Sequence, residues 1–322
     1  MSMKMKMISM VALALAFVSC SNEDELIQPT QSLKDTPIKV DVAIADMQTR
    51  AGFDADDQLE RFYMDVIHPD NGKYDYWVMM KKERNQWASY DYEGHYTEQL
   101  LWAGDGKKVN VTAATFLMNN NPIELAVKTD QSSAENIKAS DHLFMPTTSV
   151  TPSADGIKVV LNHLMSKIKL VIELKDEFDA TTNPFSKVSI CGTLPMRTYN
   201  LYAGTEDVSP WKDDSDDGFF VTTAVISPYF NIFETAKGES RAYGEFEAIL
   251  VPQTVAPNDF VILFNVGDRL FRWAYTGELT LEGGMEYTLT LIAGHDKVRP
   301  VSFNAKGWNT DGNNSTITGK TE

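Results

Sequence analysis

Short runs of alternating apolar and polar residues, broken repeatedly by turn chemistry, dominate this 322-residue chain and commit it to β-sheet. The clearest run lies near the start. Ile38, Val40, Val42 and Ile44 alternate with Lys39, Asp41, Ala43 and Ala45, the period-2 signature of a half-buried strand. Further strands are expected over Arg61 to Ile67, Tyr74 to Met80, Gln86 to Tyr92, Val109 to Phe116, Lys158 to Leu161 and Lys167 to Leu174. Later ones are expected over Phe219 to Ile226, Phe246 to Leu250, Phe260 to Val266, Leu270 to Tyr275, Glu286 to Ala293 and Val301 to Phe303. In the run from Lys167, the side chains of Ile168, Leu170, Ile172 and Leu174 share one face. Pro69-Asp70-Asn71-Gly72 and Asn265-Val266-Gly267-Asp268-Arg269 read as turns. Helical periodicity is confined to about one turn at Ser133 to Lys138, and no internal repeat is present. Many short strands at this spacing indicate an all-β fold of antiparallel sandwiches.

The first twenty residues are of another kind. Lys4 and Lys6 precede Met7 to Val18, a run of about a dozen mostly apolar residues that suits a signal peptide. A membrane-spanning helix needs roughly 20 such residues, so the run is too short for one. It ends at Phe17-Val18-Ser19-Cys20, which looks like a bacterial lipobox and makes Cys20 the expected lipid-bearing residue of an exported lipoprotein. Residues 1–19 are then the signal peptide. Ser21-Asn22-Glu23-Asp24-Glu25 resembles the acidic tag of surface lipoproteins, and the polar stretch to Thr36 reads as a tether.

Composition narrows the function. The net charge is −16, from 45 acidic and 29 basic residues. Nucleic acid is thereby disfavoured as a partner, since phosphate binding needs a basic footprint. The chain has two cysteines, and with Cys20 assigned to lipid, Cys191 has no partner for an intramolecular disulfide. It reads as a small buried residue of Val188-Ser189-Ile190-Cys191.

The residues offer no catalytic constellation. His68, His95, His142, His163 and His295 are dispersed, and no Gly-x-Ser-x-Gly elbow, phosphate loop or dinucleotide fingerprint occurs. His163 precedes a core strand and reads as a structural, hydrogen-bonded histidine. Asp213 to Gly218 resembles the start of a calcium loop, but Ala224 stands where a bidentate Glu would complete it, so no metal or other cofactor is expected. The aromatic residues between Tyr74 and Trp102 fit sheet packing better than a carbohydrate platform.

Taken together, these features resemble the fimbrillin-type proteins of Bacteroidetes, subunits of protease-assembled pili. Five stretches carry the resemblance: the lipobox at Cys20; the alternating strand ending at Thr49-Arg50-Ala51-Gly52; Leu161-Asn162-His163-Leu164-Met165-Ser166-Lys167-Ile168; Gly284-Met285-Glu286-Tyr287-Thr288-Leu289-Thr290-Leu291; and Gly307-Trp308-Asn309. Leu101-Trp102-Ala103-Gly104 fits loosely. The resemblance implies two transthyretin-like β-sandwich domains in tandem, here 51–155 and 156–322, after a lipidated pro-segment, 20–50. It further implies a precursor held at the outer membrane by lipid and cleavage between Arg50 and Ala51 by an Arg-specific protease. The strand of Ile38, Val40, Val42 and Ile44 would then be displaced and the groove filled by a strand from another pilus subunit. A surface ligand of host or bacterial origin would be a further partner.

Physical chemistry is compatible with that scheme. Burying the four apolar side chains is worth about 1.5–3 kcal/mol each, or about 6–12 kcal/mol together as an upper bound. A groove that loses them is a template for another strand, and a head-to-tail contact of this kind propagates a filament. The alternative reading is a glycan-binding lipoprotein of a polysaccharide-uptake system, permanently tethered at Cys20.

Overall fold

The structure is a computed structural model that describes residues 33–45, 59–175, 184–201, 221–225, 229–234, 240–295, 297–308 and 315–316, with side chains at all but 221–225, 229–234, 240–242 and 315–316. Cys20, Arg50, Ala51 and the acidic stretch Asp213 to Gly218 lie outside the described residues. The described ones belong to one unit, Leu33–Glu322.

In chain order the first strands are β1 (Val40–Ile44), β2 (Arg61–Ile67), β3 (Tyr76–Glu83), β4 (Gln86–Tyr90), β5 (Val109–Ala114), β6 (Ile123–Ala126) and β7 (Asp130–Gln131). A short helix, α1 (Ala134–Ser140), precedes β8 (Leu143–Val150), β9 (Ile157–His163), β10 (Ser166–Leu174), β11 (Phe185–Thr193) and β12 (Met196–Tyr199). Next come β13 (Val221–Val225), β14 (Tyr229–Glu234), β15 (Ser240–Leu250), β16 (Gln253–Val255) and β17 (Val261–Val266). The last are β18 (Arg269–Ala274), β19 (Leu279–Leu281), β20 (Met285–Ala293), β21 (Val298–Gly307) and β22 (Ser315–Thr316). The all-β expectation therefore holds.

Local chemistry explains several boundaries. Asn71 accepts a bond from the Lys73 amide and caps a 3-10 turn over Gly72–Tyr74. Tyr74 is thus drawn out of the strand expected to contain it, which starts at Tyr76. Gly267 and Asp268 form the two-residue hairpin loop between β17 and β18, with Gly267 at φ +57°, the sign a type II′ turn requires of its first residue. Ser133 caps α1 by accepting from the Asn136 amide at 3.2 Å.

A seven-stranded sheet runs in the order β1-β9-β8-β5-β2-β3-β4. Its two edges are linked by one segment: Tyr96 and Thr97 pair with β4, while Leu100 to Trp102 pair with the chain leading into β1. The enclosed core holds Phe62, Met64, Val111, Val159, Leu161 and Trp102. A six-stranded sheet, β14-β15-β10-β20-β21-β22, faces a five-stranded one, β18-β17-β11-β13-β7. Between them lie Ile168, Leu170, Ile172 and Leu174, on one face as expected, with Phe246, Phe264, Leu289 and Leu291. Most pairs are antiparallel, but β1 with β9, β10 with β20, and β7 with β13 are parallel. The expected division at residues 155 and 156 falls between β8 and β9, which share the first sheet, so the chain leaves that sheet only after His163. Cys191 is half-buried, because strand alternation turns it away from the face that buries Ile190.

A third core joins the two bodies. It contains Ala114, Phe144, Met165, Ile249, Val251 and Trp308. Gln131, fully buried, donates to the Ile249 carbonyl and accepts from the Ile249 amide, both at 2.7 Å, standing in for a missing strand neighbour. Here three of the motifs quoted above converge. The His163 ring stacks on Trp308 at 4.1 Å and 9°, and its Nδ1 is 2.9 Å from the Asp141 carboxylate. The Trp308 amide donates to the Gly284 carbonyl, and the Gly284 amide donates to the Met165 carbonyl. Lys167, fully buried, lies 5.9 Å from the Trp308 ring centroid. Its Nζ stands 3.4 Å from Glu247 and 3.5 Å from Glu286 without hydrogen-bond geometry to either, so its attraction to them is electrostatic. A buried charge without such partners is costly.

Candidate functional site

The segment Leu33–Ala45 and the groove that holds it form the site. Apolar alternation makes its second half a strand, while the first half opens with a turn at Lys34 and Asp35, where the Thr36 amide donates to the Leu33 carbonyl and Asp35 has φ +54°; Pro37 disfavours a helical Thr36. The segment has two successive partners. The Asp35 amide donates to the Trp102 carbonyl, the Trp102 amide to the Thr36 carbonyl, and the Ile38 amide to the Leu100 carbonyl, at 2.8–3.0 Å. At Lys39 the chain switches to β9, whose Ile157 amide donates to the Lys39 carbonyl at 2.8 Å. From there it runs parallel to β9, Val40 opposite Ile157 and Ile44 opposite Leu161. The Ala45 amide closes the ladder on the Leu161 carbonyl.

Two glycines admit the segment. A Cβ on Gly156 would sit 2.1 Å from the Lys39 carbonyl oxygen, and one on Gly104 would sit 2.3 Å from the Lys34 Cα. Both have positive φ, +88° and +75°, so each satisfies a backbone and a steric demand that other residues do not meet. Gly104 belongs to the Leu101-Trp102-Ala103-Gly104 stretch, which therefore seats the first segment. Trp102 is buried beside it, and its indole N–H donates to the Ser153 carbonyl at 3.1 Å. One side-chain bond ties the segment further: the Tyr74 hydroxyl donates to Asp35 at 2.8 Å. That hydrogen bond, and then burial, holds the phenol protonated above its ordinary range.

Ile38, Val42 and Ile44 are buried, 7, 9 and 3% exposed, and half-buried Val40 packs on the same core. All four residues expected to share a face thus do so. Among the described strands, β1 is at a sheet edge: it pairs with β9, and the far side of β9 pairs with β8. Its loss would therefore break the ladder with β9 and leave the pairing among the other described strands of the sheet intact. It would also bare an apolar floor beside the unpaired edge of β9, the combination that templates strand addition.

Of the dispersed histidines, His163 has the structural role expected, and His95 sits in an exposed turn bonded to Asp91. The aromatic residues divide. Trp102 and Tyr74 are core, while Trp77, Tyr92 and Tyr96 are exposed.

A family model described as fimbrillin-like matches residues 43–308, well over half of the chain. Among solved structures, a candidate cell adhesion protein from Bacteroides ovatus ATCC 8483 superposes with a TM-score of 0.59 at 15% identity, over 86% of this chain and 99% of its own. A second, from Bacteroides uniformis ATCC 8492, gives 0.55 at 15% identity, over 84% and 99%. At such identity the likeness is one of fold. No curated protein matches the chain in sequence.

Proposed function

This chain belongs to the fimbrillin-like family, a family of structural, non-enzymatic proteins, and from that membership we propose how it assembles as a subunit of cell-surface fimbriae. The subunit is exported as a lipoprotein through Cys20, held at the outer membrane by its lipid, and released by an Arg-specific protease between Arg50 and Ala51. The cut frees the segment that carries β1. A strand of another pilus subunit then takes its place along β9, and the chain of such contacts builds the fibre.

The observation that best supports this reading is the seat of β1. The strand sits at an edge of the sheet formed by the described residues, and together with Ile38 just before it supplies four apolar side chains to a core that otherwise lies within the rest of the domain. Such a strand is separable in a way a central strand is not. Its apolar content makes spontaneous loss without a replacement unfavourable by several kcal/mol, within the ~6–12 kcal/mol bound. Replacement by another strand recovers that energy. Subunits therefore remain closed until a donor arrives.

Arg50→Ala tests the cleavage step. The variant should reach the outer membrane in normal amount and give no fibres containing this subunit by immuno-electron microscopy. Fibres of normal number and length carrying the variant would refute maturation at Arg50.

A further inference from the structure

Beside Ile38, where the first segment enters the fold, lies a half-open cleft of about 580 Å³. Its floor is apolar, formed by Ile38, Met80, Trp87 and Leu100, and its rim is polar, with Arg84 and Gln99 among the residues around the mouth. Trp87 is a fixed wall, since its ring meets Phe62 edge to face at 4.9 Å and 78°. The rim is shaped by the hairpin between β3 and β4, whose two loop residues, Arg84 and Asn85, have φ of +46° and +67°, as a tight type I′ turn demands. Ile38 thus belongs both to the seated segment and to the cleft wall. Ile38, itself 7% exposed, borders this room without filling it, and Val42 and Ile44 further along do not line it.

We infer that the cleft is an unfilled pocket of the first-strand groove, and that it takes an aromatic side chain, Trp or Tyr, carried at the Ile38 position by the strand that replaces Leu33–Ala45. The inference rests on the proposed replacement of that segment. Continuity with the groove selects a strand as the occupant, because Ile38 of the resident segment lines the pocket. Its lining selects an aromatic residue. A Trp or Tyr ring would cover Met80, Leu100 and the Trp87 edge, while the indole N–H or phenol hydroxyl reached the polar rim. An aliphatic residue could satisfy only the floor. A groove underfilled by its own strand and better filled by the incoming one makes the exchange downhill, since each added buried apolar group strengthens binding.

The test uses the full chain cut after Arg50 with an Arg-specific protease, its first segment still seated, and synthetic peptides of residues 33–45. A fluorescein-labelled wild-type peptide is exchanged in and then competed off, followed by anisotropy. The Ile38→Trp peptide should compete at about tenfold lower concentration than the wild-type peptide, and the Ile44→Trp peptide more weakly than wild type. Equal or poorer competition by Ile38→Trp, with the wild-type peptide exchanging normally, would overturn the pocket and leave the removable strand standing. Failure of the labelled wild-type peptide to enter the cut protein would remove the strand replacement itself, and the pocket with it.

Discussion

Replacing Trp308 with alanine should cost the fold about 3–5 kcal/mol, the range for truncating a large buried aromatic. The residue is 2% exposed, and it gathers groups from three distant stretches of chain. Without the indole, the His163 ring loses its stacking partner, although its bond to Asp141 survives. Lys167 loses the aromatic face near its ammonium group and keeps two carboxylates that meet it at long range. The cavity opens in the core that joins the seven-stranded sheet to the second sandwich, so the two bodies should also unfold less cooperatively. Urea denaturation followed by two probes, the fluorescence of the remaining tryptophans and far-ultraviolet circular dichroism, measures both effects. Trp308→Phe keeps a ring against His163 and should lose only about 1–2 kcal/mol. A Trp308→Ala protein within about 0.5 kcal/mol of wild type would show that the junction is held elsewhere.

The second large effect belongs to the first strand. Ile44→Asp places a carboxylate at a position 3% exposed, opposite Leu161 on β9. The protein loses the burial of one Ile and gains a charge with no partner, a combined penalty on the order of 4 kcal/mol. The location of that penalty matters more than its size. Because β1 stands at the edge of its sheet, with β9 its one neighbour among the described strands, the cheapest response is for the strand to leave the groove while the other strands stay folded. Limited trypsin digestion should then cut rapidly at Lys39, whose carbonyl is otherwise bonded to the Ile157 amide. The β2–β3 hairpin should stay protected. Global unfolding at the same rate at both places would mean that the strand is not separable from its sheet.

Much of the fold could be read from local pattern. Period-2 runs marked the strands from Arg61, Lys167 and Glu286 because each buries one face. The strand Leu143–Val150 was hidden by Pro146, which a ladder does not normally accept. It is accommodated where the register with β5 shifts, two residues of β8 opposing Thr112, a bulge being one of the places a sheet tolerates proline. Phe185–Thr193 was blurred in a similar way by Gly192, at a register shift against β13. Pairing partners were beyond local pattern, since nothing in the alternation of Ile38 to Ile44 specifies a parallel neighbour more than a hundred residues away. The same holds for the meeting of His163, Lys167, Gly284 and Trp308, whose motifs were legible singly while their convergence depends on the closed fold. At the groove, the four apolar residues were legible, but the two glycines that admit the backbone, Gly104 and Gly156, needed the structure.

The removable first strand is tested most directly by the N-terminus of the subunit in finished fibres. Fibres sheared from the cell surface, purified and analysed by mass spectrometry should yield a subunit beginning at Ala51, with no peptide from Leu33 to Arg50. A subunit in those fibres that still begins at a lipid-bearing Cys20 would contradict the account.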